Sequence, residues 1–168
     1  YGFDMADFNN DGYQDIMLLI VAGFSKQPRG LFIYDLHQDT LIRTDSMGAY
    51  FGKPEIVDMD SDGVPEILCG SSTMGNIHDT LGIPYSEYSS WFFYFDQQLR
   101  FITPPIQNTN FPSSASATAF INDEGGKFMA VLQDNLSAGT QDLIFYHPDG
   151  RQDDKISFSD SPEGKNQK

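Results

Sequence analysis

Three stretches of this sequence share one plan. GLFIYDLHQDTLIR (30–43), SWFFYFDQQLRFI (90–102) and DLIFYHPDGRQDDKISF (142–158) each pass from an aromatic-rich run through a polar turn to a shorter run. Each follows another hairpin-like stretch, at 3–20, 54–70 and 116–133. Helical periodicity is poor throughout. The apolar runs are short, rich in β-branched and aromatic residues, and bounded by Gly, Pro, Asp and Asn, as strands are. Strands are expected at about 16–21, 31–35, 40–43, 54–57, 66–69, 91–95, 99–102, 116–121, 128–132, 142–147 and 155–158.

The chain therefore reads as all-β, in units of four antiparallel strands. Four strands in about 50 to 60 residues is the signature of a propeller blade. A single blade cannot cover both its faces and needs neighbours. The expected fold is β-propeller-like, with about three four-stranded blades. Rings close with roughly four to eight blades. Either further blades lie outside this chain or the units pack in another all-β manner. The divisions are residues 1–52 (first unit), 53–110 (second unit), 111–159 (a degenerate third unit) and 160–168 (a tail or linker). Residues 71–90, rich in Ser, Gly and Tyr, form a long insert after the second hairpin.

Two acidic runs sharpen the reading. DFNNDGYQD (7–15) stands directly before IMLLIVAG, and DMDSDGVPE (58–66) directly before ILCG. They align as D-x-[DN]-x-D-G-x-x-[DE], with 51 residues between equivalent positions. Carboxylates this close repel one another, so the pattern makes sense with a cation among them. Asp7, Asn9, Asp11 and Asp15 occupy ligand positions 1, 3, 5 and 9 of the first loop. Asp58, Asp60, Asp62 and Glu66 occupy them in the second. Position 7, Tyr13 or Val64, offers its backbone carbonyl. Gly12 and Gly63 permit a turn with positive φ. Such an all-oxygen set suits Ca2+, which takes roughly six to eight hard ligands in flexible geometry. Zinc would want His or Cys, absent from both loops; magnesium is the other candidate, but it prefers to keep its own waters. A helix–loop–helix calcium loop needs Glu at position 12, where this chain has Leu18 and Cys69. The alternative is a pair of plain Asp-Gly turns on an acidic surface. The third hairpin, INDEGGKF (121–128), offers Asn122, Asp123 and Glu124 without the spacing, and no ion is expected there.

These loops, with Tyr1-Gly2 and Phe51-Gly52 ahead of them and CGS (69–71) after the second, resemble FG-GAP repeats. Those are related to integrin-α-like blades and VCBS-type repeats. The resemblance covers about residues 1–70 well and the third unit only through its strand plan. It implies a propeller whose blades bind calcium in the first hairpin, with the ion usually structural.

The formal charge of −14 argues against nucleic acid and anionic membrane surfaces as partners. No apolar run reaches the ~18 residues of a membrane helix. The single cysteine, Cys69, excludes an intramolecular disulfide. His37, His78 and His147 fall in turn-like or loop positions. His78 adjoins Asp79, but no nucleophile motif accompanies the pair. Tyr85, Tyr88 and Trp91 form a candidate ligand surface beside the insert. The functional expectation is a calcium-stabilised, extracytoplasmic module that binds a protein or carbohydrate ligand within a larger adhesion, sensor or surface protein. The rival is a propeller belonging to a polysaccharide-acting hydrolase or lyase.

Overall fold

The computed structural model describes residues 2–21, 29–76 and 82–159. Tyr1, the His78–Asp79 pair and the tail at 160–168 lie outside the described residues. Within them the chain is all-β and antiparallel, with no helix.

The first four strands are β1 (Gly2–Ala6), β2 (Asp15–Ile20), β3 (Gly30–Asp35) and β4 (Thr40–Arg43). They form a four-stranded meander in the order β1-β2-β3-β4. A short strand, β5 (Tyr50–Phe51), then leads into a second meander. This comprises β6 (Glu55–Val57), β7 (Glu66–Ser72), β8 (Ser90–Phe95) and β9 (Ile106–Asn108), paired in sequence. The third comprises β10 (Ser113–Ile121), β11 (Lys127–Asn135), β12 (Thr140–Tyr146) and β13 (Gln152–Ser159). The second and third meanders join where β10 pairs with β7 at one register pair, Ser72 with Ser114, so that nine strands form one sheet, along the path β13-β12-β11-β10-β7-β8-β9 with β5 and β6 paired to β7 beside it. The crossing is tight. A Cβ on Gly70 would sit 2.0 Å from the Ala115 carbonyl oxygen, so only glycine lets the two backbones approach.

Period-2 alternation arranges the core. Met17 and Leu19 of β2 and Leu31 and Ile33 of β3 pack against Ile67, Cys69, Phe93 and Phe95 of β7 and β8. The intervening residues Leu68, Phe92 and Tyr94 turn the other way. They pack against Met129, Val131, Ile144 and Tyr146 of β11 and β12. The second meander therefore carries a separate apolar layer on each face, one toward the first sheet and one toward the third meander of its own sheet. That explains why β7 reads as an unbroken apolar run and is buried along nearly its whole length.

Strands β1 and β5 fall outside the expected set, and one expected strand is displaced. Residues 99–102 do not form the fourth strand of the second meander. The Asp96 carboxylate accepts the Gln98 and Arg100 amides, and Leu99 adopts φ 59° in that turn. Phe101 makes one isolated bridge to Phe95. Pro104 and Pro105 then remove two amide donors, and the fourth strand starts only at Ile106. The described part of the 71–90 insert is anchored rather than free. Glu87, fully buried, pairs with Arg29, whose guanidinium also donates to the Gly48 carbonyl and lies over the Tyr50 ring.

Candidate metal centre

Both acidic runs form the turn of the first hairpin of their meander, between β1 and β2 and between β6 and β7. Their backbones match. Position 4 has φ 56° at Asn10 and 68° at Ser61; position 6 has 88° at Gly12 and 87° at Gly63. The hydrogen bonds match as well. The amides of Gly12 and Gly63 donate to Asp7 Oδ2 and Asp58 Oδ2 at 2.8 and 3.0 Å. The Asp11 and Asp62 amides donate to Asn9 Oδ1 and Asp60 Oδ1, both at 3.1 Å. The Tyr13 and Val64 amides donate to Asp11 Oδ1 and Asp62 Oδ1 at 2.9 and 2.7 Å. Finally, the Phe8 and Met59 amides donate to Asp15 Oδ2 and Glu66 Oε2 at 3.0 and 2.6 Å. Four equivalent contacts in two loops 51 residues apart show one local design used twice.

That design leaves oxygen atoms to spare. Asp15 is 1% exposed, and its Oδ1 has no hydrogen-bond partner. A buried carboxylate oxygen left unmatched is costly. Burial pushes the Asp15 carboxyl above the usual range, and the charges of Asp35, Asp11 and Asp7 push it further, against the Phe8 amide. Glu66, 6% exposed, is raised in the same way, by burial first and then by Asp60, Asp62 and Asp58, against the Met59 amide. The structure brings Asp58, Asp60 and Glu66 together, with one ligand oxygen of each within 4.8 Å of the others. Asp62 lies outside that group. In the first loop position 3 is an amide, and no three carboxylates gather so closely among the described residues.

Neighbours not legible in the motif complete each loop. Asn9 Nδ2 donates to Asp35 Oδ2 at 2.8 Å, and Gln38 reaches Asp11 Oδ2 at 3.4 Å. Tyr13 stacks on His37 with ring centroids 4.0 Å apart. A cavity of about 200 Å3 lined by Asn9, Asp15, Asp35 and Gln38 borders this loop. At the second loop Lys127 of β11 donates to the Asp58 carbonyl oxygen, with its ammonium 3.9 Å from Asp58 Oδ1. The third hairpin closes differently. Asn122 Oδ1 accepts the Glu124 and Gly126 amides, and the Asn122 amide donates to the Gly126 carbonyl.

The fit of the loops to a hard divalent cation rests on donor chemistry and on Asp15. The donors are all oxygen, and one of them is buried, ionisable and unmatched. Ca2+ suits such a set better than Zn2+.

The aromatic trio separates. Tyr85 meets Trp91 edge-on at 5.2 Å, and both pack against the first core layer. The Trp91 indole nitrogen donates to the Ser86 carbonyl. Tyr88 instead stacks with Phe111 at 5.7 Å and donates to the Gly75 carbonyl. No protein-family model, curated protein or solved structure matches this chain.

Proposed function

We propose that this chain is a stack of three propeller-type blades, two of them stiffened by Ca2+, serving as an extracytoplasmic module that binds a protein or carbohydrate ligand. The first three divisions, residues 1–52, 53–110 and 111–159, are the blades. Calcium would be held by Asp7, Asn9, Asp11, the Tyr13 carbonyl and Asp15 in the first loop. Asp58, Asp60, Asp62, the Val64 carbonyl and Glu66 would hold it in the second. The observation that carries the ion is the buried, unmatched Oδ1 of Asp15. The stacked meanders support the blade reading, because each apolar layer lies between successive four-stranded units.

The ion's contribution is structural: it neutralises like charges that the two hairpins hold together. The expected consequence is a sign reversal at Asp15. Without calcium, Asp15→Asn removes a buried charge whose folded state favours protonation, so the variant melts higher than the parent at pH 7. In millimolar calcium it loses a ligand and melts lower. Thermal melts of both proteins in chelator and in calcium check this; the same sign in both buffers contradicts a cation at Asp15. The pH dependence has the same origin. A carboxyl raised in the folded state stabilises below its unfolded pKa, and that stability is lost as pH rises through the folded value. For the binding function, a glycan and protein array is set against activity on a polysaccharide panel. Capture of a specific ligand without turnover is the expected result, and turnover of a polysaccharide overturns the binding reading.

A further inference from the structure

Asn9 and Asp35 meet across two hairpins. Asn9 stands at position 3 of the first loop. Asp35 ends β3 and caps the turn into β4: its Oδ1 accepts the His37 and Gln38 amides, both at 2.8 Å, and its Oδ2 accepts Asn9 Nδ2 at 2.8 Å. Asp35 is 7% exposed and accepts only uncharged donors among the described residues. The contact decides which way round the Asn9 amide stands. Nδ2 faces two acceptors, Asp35 Oδ2 and, at 3.3 Å, Asp11 Oδ2, while Oδ1 accepts the Asp11 amide within the loop. Turned over, the amide would set Oδ1 against carboxylate oxygens and Nδ2 against an N–H donor.

The second unit treats the same position differently. Aligned on the acidic loops, Ile16 is the equivalent of Ile67. The register pairs Ile16 with Tyr34 and Ile67 with Phe95, so the residues that follow, Asp35 and Asp96, are equivalent too. Asp96 gives both oxygens to its own turn. Its Oδ1 accepts the Gln98 and Arg100 amides, and its Oδ2 accepts Arg100 Nε at 2.8 Å. Position 3 is there a carboxylate, Asp60, whose Oδ1 accepts the Asp62 amide. An amide thus stands at position 3 where the strand-end carboxylate reaches the loop, and a carboxylate stands there where an arginine takes the strand-end group up.

We propose that Asp35 is a positioning residue of the first metal centre: by accepting Asn9 Nδ2 it commits Asn9 Oδ1 to the ligand set. An amide can present oxygen or nitrogen, and a cation takes only the oxygen. Partners one layer out orient metal ligands in this way. The inference rests on the calcium reading of the first loop, and it accounts for the one ligand side chain whose charge differs between the two loops. An exchange of donor and acceptor follows from it. In Asp35→Asn the oxygen stays with the His37 and Gln38 amides, and the new nitrogen faces Asn9. Asn9 then turns its oxygen toward that nitrogen and its own nitrogen into the loop, which loses a ligand. Adding Asn9→Asp restores an oxygen on both sides, because a carboxylate accepts in both directions, and returns the net charge to that of the parent.

Nuclear magnetic resonance of the 15N-labelled chain tests it, with Ca2+ alone as the probe. The Gly12 amide reports the first loop and the Gly63 amide the second. Asp35→Asn is expected to weaken the binding read at Gly12 by about 10–100-fold, as loss of such a partner does, and to leave the binding read at Gly63 unchanged. That loss is expected to persist in about 1 M salt, where a bare charge effect is screened. The double variant Asn9→Asp with Asp35→Asn is expected to recover the parent's affinity. In chelator, slow exchange of the Asn9 Nδ2 protons in the parent reads the pairing without any ion. Should Asp35→Asn fail to fold, Asn9→Asp takes its place: it sets two carboxylates face to face, melts below the parent in chelator, and is expected to regain its melt when Asp35→Asn is added. A parent whose Gly12 signal ignores Ca2+ overturns the calcium reading and this inference with it. A parent that binds at both loops, beside an Asp35→Asn variant of equal affinity, overturns the positioning role alone. So does a double variant no better than Asp35→Asn, a loss that vanishes in salt, or fast exchange at Asn9 Nδ2 in the parent.

Discussion

If the two acidic hairpins hold calcium as proposed, chelation is expected to lower the melting temperature of this chain by about 10–20 °C, because each of two ions would stabilise the folded state by mass action. A ligand at 100 to 1,000 times its Kd contributes about 3–4 kcal/mol per site, which is a large share of the ~5–15 kcal/mol that holds a typical domain together. The physical source lies in the two hairpins. Each fixes several carboxylates by four equivalent backbone contacts, so the charges cannot relax apart when the ion leaves. Asp15 has no partner for Oδ1 to turn to, and Glu66 shares a group of oxygens with Asp58 and Asp60. Lys127 offsets part of the charge at the second loop. The first loop relies on the amides of Asn9 and Gln38 instead, so its hairpin is expected to exchange amide protons fastest in chelator. Calorimetric melts in calcium and in chelator measure the shift. Coincident melts would make both runs ordinary turns.

The second large effect concerns the sandwich. Phe93→Ala is expected to cost about 3–5 kcal/mol, as large aromatic truncations in cores do. Phe93 is 0% exposed and lies in the layer between the first and second sheets. Its ring sits 5.2 Å from Phe51, 5.5 Å from Tyr85, 5.8 Å from Phe95 and 6.1 Å from Phe101. These neighbours come from β5, the insert, β8 and the segment after it, so the void cannot close by a shift of one element. Phe158→Ala on exposed β13 is the control, with a cost under about 1 kcal/mol as for exposed sites. Urea midpoints for the two variants separate the cases. Equal losses would mean that the second meander is not enclosed on the face toward the first sheet.

Local chemistry explains what the sequence made legible. The two matching hairpin turns could be read because their acidic residues, glycine and following strand all lie within about a dozen residues of one another. The matching φ values at Asn10 and Ser61 follow from that same local grammar. The strand plan was legible for a related reason: alternate residues of β7 and β8 face two different layers, which produces the continuous apolar runs ILC and FFYF. What could not be read depended on distance along the chain. Asp35 reaches Asn9 across 26 residues, and Lys127 reaches Asp58 across 69. No spacing rule links them. The fourth strand of the second meander was misplaced at 99–102 because an apolar pair, Phe101-Ile102, outweighed the turn that Asp96 caps and the two prolines that follow. The ring partners of Tyr85, Tyr88 and Trp91 also depend on segments distant in sequence. The chain turns between them, sending Tyr85 and Trp91 to the core layer and Tyr88 to Phe111.

The single measurement that tests the metal centres most directly is a crystal structure of this chain grown in millimolar calcium. The account predicts one strong spherical peak in each acidic hairpin, about 2.3–2.6 Å from Asp15 Oδ1 in the first and from Glu66 in the second. Two empty hairpins, with Asp15 Oδ1 bonded to water or to a protein donor, would contradict it.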